Sequence, residues 1–213
     1  MKSKIPVKLL TLQLIPNADP ALLRALGAPE ALPALGLLST DCDDATYIAL
    51  DEATKAAPVQ VSYARSMYAG AANASTPNAG EVIGILSGPT PAEVKSGLPA
   101  AKAALEDLGF YEESGVPYLV HAVSRTGTFL CREANVPEGS PLAYLIAPPV
   151  EAMLGLDAAL KAADVTLCKL YAPPSETNFG GGLLTGTQSA CVSACDAFAA
   201  AVEAVAQNPR KEG

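Results

Sequence analysis

Three aspartates crowd into four positions, Asp41, Asp43 and Asp44, directly ahead of a run with helical periodicity. Acids in the first turn of a helix satisfy its free amides and its dipole, and that purely structural role accounts for any one of them. The chain, however, contains this helix twice. At the equivalent positions the second copy has Ala147, Pro149 and Val150, so the fold can start the helix without acids. Carboxylates held this close repel one another, and a site for a small cation would offset that repulsion. Glu81, at the far end of a long polar loop and just before a strand, is a further acid that could converge on the same place.

Other reactive side chains suggest less. Cys191 and Cys195 lie four apart on a helix and so share one face, but tetrahedral zinc needs two further ligands. The single histidine, His121, falls on an alternating strand pattern, so buried structural cysteines are the simpler reading and no metal site is assigned. The triplet Gly180-Gly181-Gly182 lacks the downstream Gly-Lys-Ser/Thr of a phosphate loop, and no Gly-x-Ser-x-Gly elbow is present. With no base beside a nucleophile, no catalytic residue is assigned and an enzyme is disfavoured.

The elements that must position these residues are organised by an internal repeat. Residues 48–61 (IALDEATKAAPVQV) recur at 154–167 (LGLDAALKAADVTL), displaced by 106, with Leu50, Asp51, Ala53, Lys55, Ala56, Ala57 and Val59 identical in the second copy. Leu50, Ala53 and Ala57 fall at i, i+3 and i+7, and alternation follows, so the copied unit is a helix and then a strand. Around it the sequence predicts strands at 4–15, 35–39, 59–64 and 82–86. Asp19-Pro20 and Gly27 bracket a short helix, and a helix over 91–108 should be kinked or split by Pro99. The second half predicts strands at 118–124, 142–146 and 165–171, a helix from Pro148-Pro149, and an alanine-rich helix at 189–206. Residues 66–80 and 172–182 form the equivalent long loops, and LLTG at 183–186 matches ILSG at 85–88. The fold class is α/β, an α+β sandwich with helices on one side of a mainly antiparallel sheet, made twice.

Composition narrows the partners. Half of the 213 residues are hydrophobic and 17% are charged, below the ~25% usual for soluble domains, which points to a large buried subunit interface. The net charge of −8 disfavours nucleic acid and anionic membranes. No apolar run approaches the ~20 residues of a membrane span, and residues 1–14 lack a signal-peptide pattern, so a cytosolic protein is expected. Five cysteines at irregular spacing argue against a disulfide framework.

The segments STDCDDATYIALDEATKAA, YARSMYAGAANAS, AGEVIGIL, VSRTGTFL, AYLIAPPVEA and PPSETNF followed by LLTGTQSAC resemble the EutL family of ethanolamine-utilisation microcompartment shell proteins. The similarity runs from about Leu35 to Pro209. It implies two tandem, circularly permuted microcompartment domains, expected at 1–111 and 112–213, in a homotrimer that mimics a hexamer and tiles with other shell proteins. It implies a central pore gated by the long loops, with Tyr68, Ala69, Gly70, Asn73, Asn178, Phe179, Gly180, Gly181 and Gly182 in the gate. It also implies a smaller acidic pore within each subunit, lined by Asp43, Asp44, Glu81, Phe110 and Thr177 and able to hold a small amine such as ethanolamine. No cofactor is required; cobalamin or a metal ion is a candidate at the central pore. The alternatives are a shell trimer of an ethanol, propanediol or choline compartment, and a soluble trimer that binds a small molecule for regulation.

Overall fold

The computed structural model describes residues 3–67, 81–172 and 179–210. The chain divides into two compact units, one of residues 6–108 with 127–130, the other of residues 1–5, 109–126 and 131–213. Each half therefore lends a short segment to the unit built mainly by the other. The expected strand at 4–15 is accordingly two strands, β1 (Ser3–Pro6) and β2 (Leu9–Ile15), which belong to different sheets. Asp41 fixes the start of β2: its carboxylate accepts from the Lys8 amide at 2.8 Å, and its own amide donates to the Lys8 carbonyl at 3.2 Å.

The unit of residues 6–108 is a four-stranded antiparallel sheet in the order β2-β3-β5-β4, with β3 at Ala34–Thr40, β4 at Gln60–Met67 and β5 at Glu81–Gly88. Its helices are α1 (Pro20–Leu26), α2 (Asp43–Ala56) and α3 (Pro91–Asp107). Asp19 caps α1 by accepting from the Ala21 amide at 2.8 Å, and Gly27 closes it in the left-handed conformation (φ 68°). Side chains alternate across a strand, and both faces of this sheet are used. Leu35, Leu37, Ile83 and Ile85 join Leu23 of α1 in one cluster. On the other face a Cβ at Gly36 would come within 2.7 Å of Val94 in α3, and one at Gly84 within 2.7 Å of Leu50 in α2. Helices thus cover both faces rather than the one expected.

Of the kink or split expected at Pro99, the split does not occur, and α3 continues through it. A proline leaves the carbonyl four residues earlier without its partner. Here Pro99, Lys95 and Ser96 are all on the exposed side, where water can take that role.

The other unit is a six-stranded sheet in the order β1-β6-β7-β8-β10-β9. Its further strands are β6 (Gly109–Glu113), β7 (Val116–Val123), β8 (Leu142–Ala147), β9 (Val165–Tyr171) and β10 (Gly180–Gly186). Ser114 and Gly115, both at positive φ (52° and 81°), make the two-residue turn between β6 and β7. A short helix α4 (Leu130–Ala134) precedes β8, and α5 (Pro149–Ala162) and α6 (Gln188–Gln207) pack on the sheet around Tyr118, Leu145, Leu156 and Phe198. A side chain on Gly155 would meet the Phe198 ring at 2.6 Å, which is why α5 and α6 approach so closely there. By length and composition α6 could cross a membrane, yet its face of Cys191, Ala194, Cys195, Phe198 and Val202 is spent on this core.

Gly180, Gly181 and Gly182, assigned by sequence to the second long loop, are instead the first residues of β10, paired with β8 and β9. The glycines are there because neighbours leave no room. A Cβ at Gly181 would fall 1.9 Å from the Leu145 carbonyl oxygen, and one at Gly182 2.6 Å from that of Lys169.

Candidate acidic site at the start of helix α2

The helix start is built by a knot of hydroxyls. Cys42 occupies the N-cap position in extended backbone, its thiol making no cap bond, and its amide donates to Thr40 Oγ1 at 3.0 Å. The Thr40 and Thr46 hydroxyls lie 2.7 Å apart, and both are within hydrogen-bond reach of the Cys42 carbonyl. With the cap position tied down in this way, Asp43 and Asp44 follow as the first two helical residues. The Asp44 amide donates to Asp43 Oδ1 at 2.9 Å.

Both acids are buried, at 4% and 7% exposure. Aspartate is seldom buried this far unless it is paired or hydrogen-bonded. The third acid, Asp41, is accounted for by the Lys8 amide. Burial, with Asp44 and Asp43 beside it, pushes the Cys42 thiol well above its ordinary value, so it is held as S–H and not as a nucleophilic thiolate.

The sheet register brings the fourth acid to the same end of the unit. Val82 pairs with Thr40, so Glu81, opposite Met67 at the start of β5, is level with Asp41. Phe110 belongs to the other unit, fully buried in β6, where its ring lies 5.4 Å from that of Phe179. The structure thus groups Asp43, Asp44 and the backbone of Glu81 in one unit, and Phe110 with Phe179 in the other. Thr177, Asn178, Tyr68, Ala69, Gly70 and Asn73 lie outside the described residues.

One key residue escaped the sequence reading. Asp51 is completely buried on α2, and its carboxylate receives the amides of Gly127 (2.7 Å), Leu130 (2.8 Å) and Phe129 (3.2 Å). Lys55 Nζ stands 3.5 Å away, and Thr54 Oγ1 accepts from the Thr128 amide at 3.1 Å. The Tyr47 and Phe129 rings meet at 6.1 Å. Residues 127–130 are thereby strapped onto the Tyr47-Asp51-Thr54 face of α2. Its repeat counterpart, Asp157, is a surface acid paired with Lys161 at 2.6 Å.

The remaining candidates are structural. Cys191 and Cys195 sit in the core at 1% and 7% exposure, and burial pushes both thiols up, Cys195 to about 12. They occupy the places of Val94 and Leu98 in the first half, 97 residues earlier and likewise buried. His121 lies mid-strand in β7, opposite Tyr144. Among the described residues no three or more of His, Cys, Asp and Glu stand together as a metal site.

Residues 34–118 match the BMC domain family. The chain is 58% identical over 204 residues to the bacterial microcompartment shell protein EutL of Clostridium perfringens (strain 13 / Type A), covering 94% of each. It is 51% identical over 197 residues to the EutL shell protein of Escherichia coli (strain K12), covering 91% of this chain and 89% of that one. The crystal structure of the ethanolamine utilization protein EutL from Leptotrichia buccalis C-1013-b superposes with a TM-score of 0.92 at 58% identity, covering 99% of both chains. These relatives are shell components, not enzymes, and identity of this extent over nearly the whole length is decisive: the chain belongs to the EutL family of bacterial microcompartment shell proteins.

Proposed function

We propose that three copies of this chain form a pseudohexameric shell tile with a gated central pore, and that the buried acids at the start of α2 line a small pore that binds ethanolamine. The observation that carries the ligand reading is the pair Asp43 and Asp44, buried in the first half, where the second half starts the same helix with Pro149 and Val150. A primary ammonium suits two close carboxylates, since it neutralises their charge while donating to both. Glu81 and Thr177 complete the proposed lining, and Phe110 walls it.

The same reading couples this pore to the gate. Occupancy would favour the closed gate by binding that state more tightly. Identical loop arrangements with and without saturating ethanolamine would refute the coupling. Substrates or bulky cofactors are the proposed traffic of the central pore. A metal ion or cobalamin held there would need ligands from outside the described residues.

Calorimetric titration with ethanolamine tests the ligand site. Wild type is expected to show saturable binding, Asp43→Asn to weaken it tenfold or more through loss of a charged hydrogen bond, and Asp41→Asn to leave it unchanged. Unaltered affinity in Asp43→Asn would remove the acids from the site. Absence of binding by wild type would move the cargo to an ethanol, propanediol or choline compartment.

A further inference from the structure

The strap on α2 has a second copy in the chain that is put to no use. Counting from the repeat, the face of α5 equivalent to Tyr47, Ile48, Asp51 and Thr54 is Met153, Leu154, Asp157 and Leu160. On α2 these positions are buried or half-buried, whereas on α5 all four are exposed, Leu154 by 48%, and Val150 beside them by 65%. The strap itself is duplicated too. With a displacement of 108, Leu22, Arg24, Pro29 and Glu30 recur as Leu130, Arg132, Pro137 and Glu138, and the left-handed residue that ends the helix recurs as Gly27 and Asn135. Residues 19–22 are therefore the counterpart of residues 127–130. All four are exposed, Leu22 by 41%, where Leu130 is 1% exposed.

One receptor face and one segment are thus satisfied within the chain, while a matching face and a matching segment both stand in solvent. We infer that residues 19–22 of one copy dock on the Met153-Leu154-Leu160 face of α5 in the next copy. This contact rests on the proposed trimer and names the surfaces that form it. It is heterologous, so each added copy leaves one face and one segment free until a ring closes.

The chemistry of the second contact differs in a way the residues dictate. Pro20 stands for Thr128 and has no amide, just as Leu160 stands for Thr54 and has no hydroxyl to receive one, and the Ala21 amide, counterpart of the Phe129 donor, is already given to Asp19. Apolar side chains stand instead where the first contact has polar ones: Leu160 for Thr54 and Met153 for Tyr47. The docked surface is held by apolar burial, and salt should affect it little.

The test is the mass in solution of wild type, Leu154→Glu and Leu22→Glu by light scattering, at a concentration where wild type is trimeric. Each variant is expected to fall to the mass of one chain, 21.7 kDa. A double variant, Leu22→Cys with Leu154→Cys, reports on the contact with no buried charge. On oxidation it should yield covalent dimers and trimers that neither single variant nor wild type gives. Glutamate variants of wild-type mass together with no cross-link would overturn the docking, while the trimer would stand. A wild type that is itself a single chain would overturn the trimer.

Discussion

Asp51→Ala is expected to destabilise the protein by about 3–5 kcal/mol, because it takes the acceptor from three amides gathered on a buried carboxylate and removes one of the two carboxylates beside Lys55. The internal repeat supplies the control. Asp157 has the same place in the copied motif, but its carboxylate is exposed and its partner Lys161 more so, and surface pairs of this kind contribute about 0–1 kcal/mol. Asp157→Ala should therefore change stability by about 0.5 kcal/mol or less in the isolated chain. Asp51→Asn should fall between, since one oxygen acceptor survives. Urea unfolding of the three variants measures this directly. Equal losses for Asp51→Ala and Asp157→Ala would mean that the strap at 127–130 contributes nothing the surface pair does not.

Gly181→Ala is the second large effect, expected at about 3 kcal/mol or more. The added Cβ would lie 1.9 Å from the Leu145 carbonyl oxygen and 2.9 Å from the Ile146 Cα, both backbone atoms of the paired strand β8. Neither can rotate away as a side chain would. The residue is also at φ 157°, outside the range that side-chain-bearing residues favour. β10 lies between β8 and β9, so separating its strands at this point disturbs two ladders. Gly84→Ala is the comparison from the other half: its Cβ would meet side-chain atoms of Leu50 and no backbone, so a smaller loss follows. The thermal midpoints of the two variants are the measurement; a Gly181→Ala protein that melts with wild type would show that β10 is not tightly paired there.

The sequence made the repeat plain and with it most of the fold, because local signals agreed with the long-range pattern. Asp19, Pro20 and Gly27 bound α1 as cap chemistry requires. Failures came where tertiary contacts decide. Three glycines in a row read as a loop, yet they open a strand paired on both sides, where β8 leaves no room for a Cβ at Gly181 and β9 none at Gly182. Pro99 read as a kink or a split, yet the helix is not split, and its lost hydrogen bond lies on the exposed side. Lys4 to Ile15 read as one strand, since nothing in its alternation tells that it changes sheets at Val7.

The site was legible to a similar depth. The acids at Asp43 and Asp44 were visible as an excess over the second copy, and the structure adds that both are buried at the start of α2. Asp51 was not visible, because it is identical to Asp157 in its motif. Only the structure shows which copy receives residues 127–130. The Phe110–Phe179 contact was equally hidden, since 69 positions separate two residues that share one unit.

Electron microscopy of the concentrated protein tests the central claim most directly, that this chain closes into trimers and that the trimers tile. The account predicts extended flat sheets with a hexagonal repeat, built of three-chain tiles. Discrete trimers at every concentration, with saturable ethanolamine binding but no sheet, would contradict it and identify a soluble regulatory trimer instead.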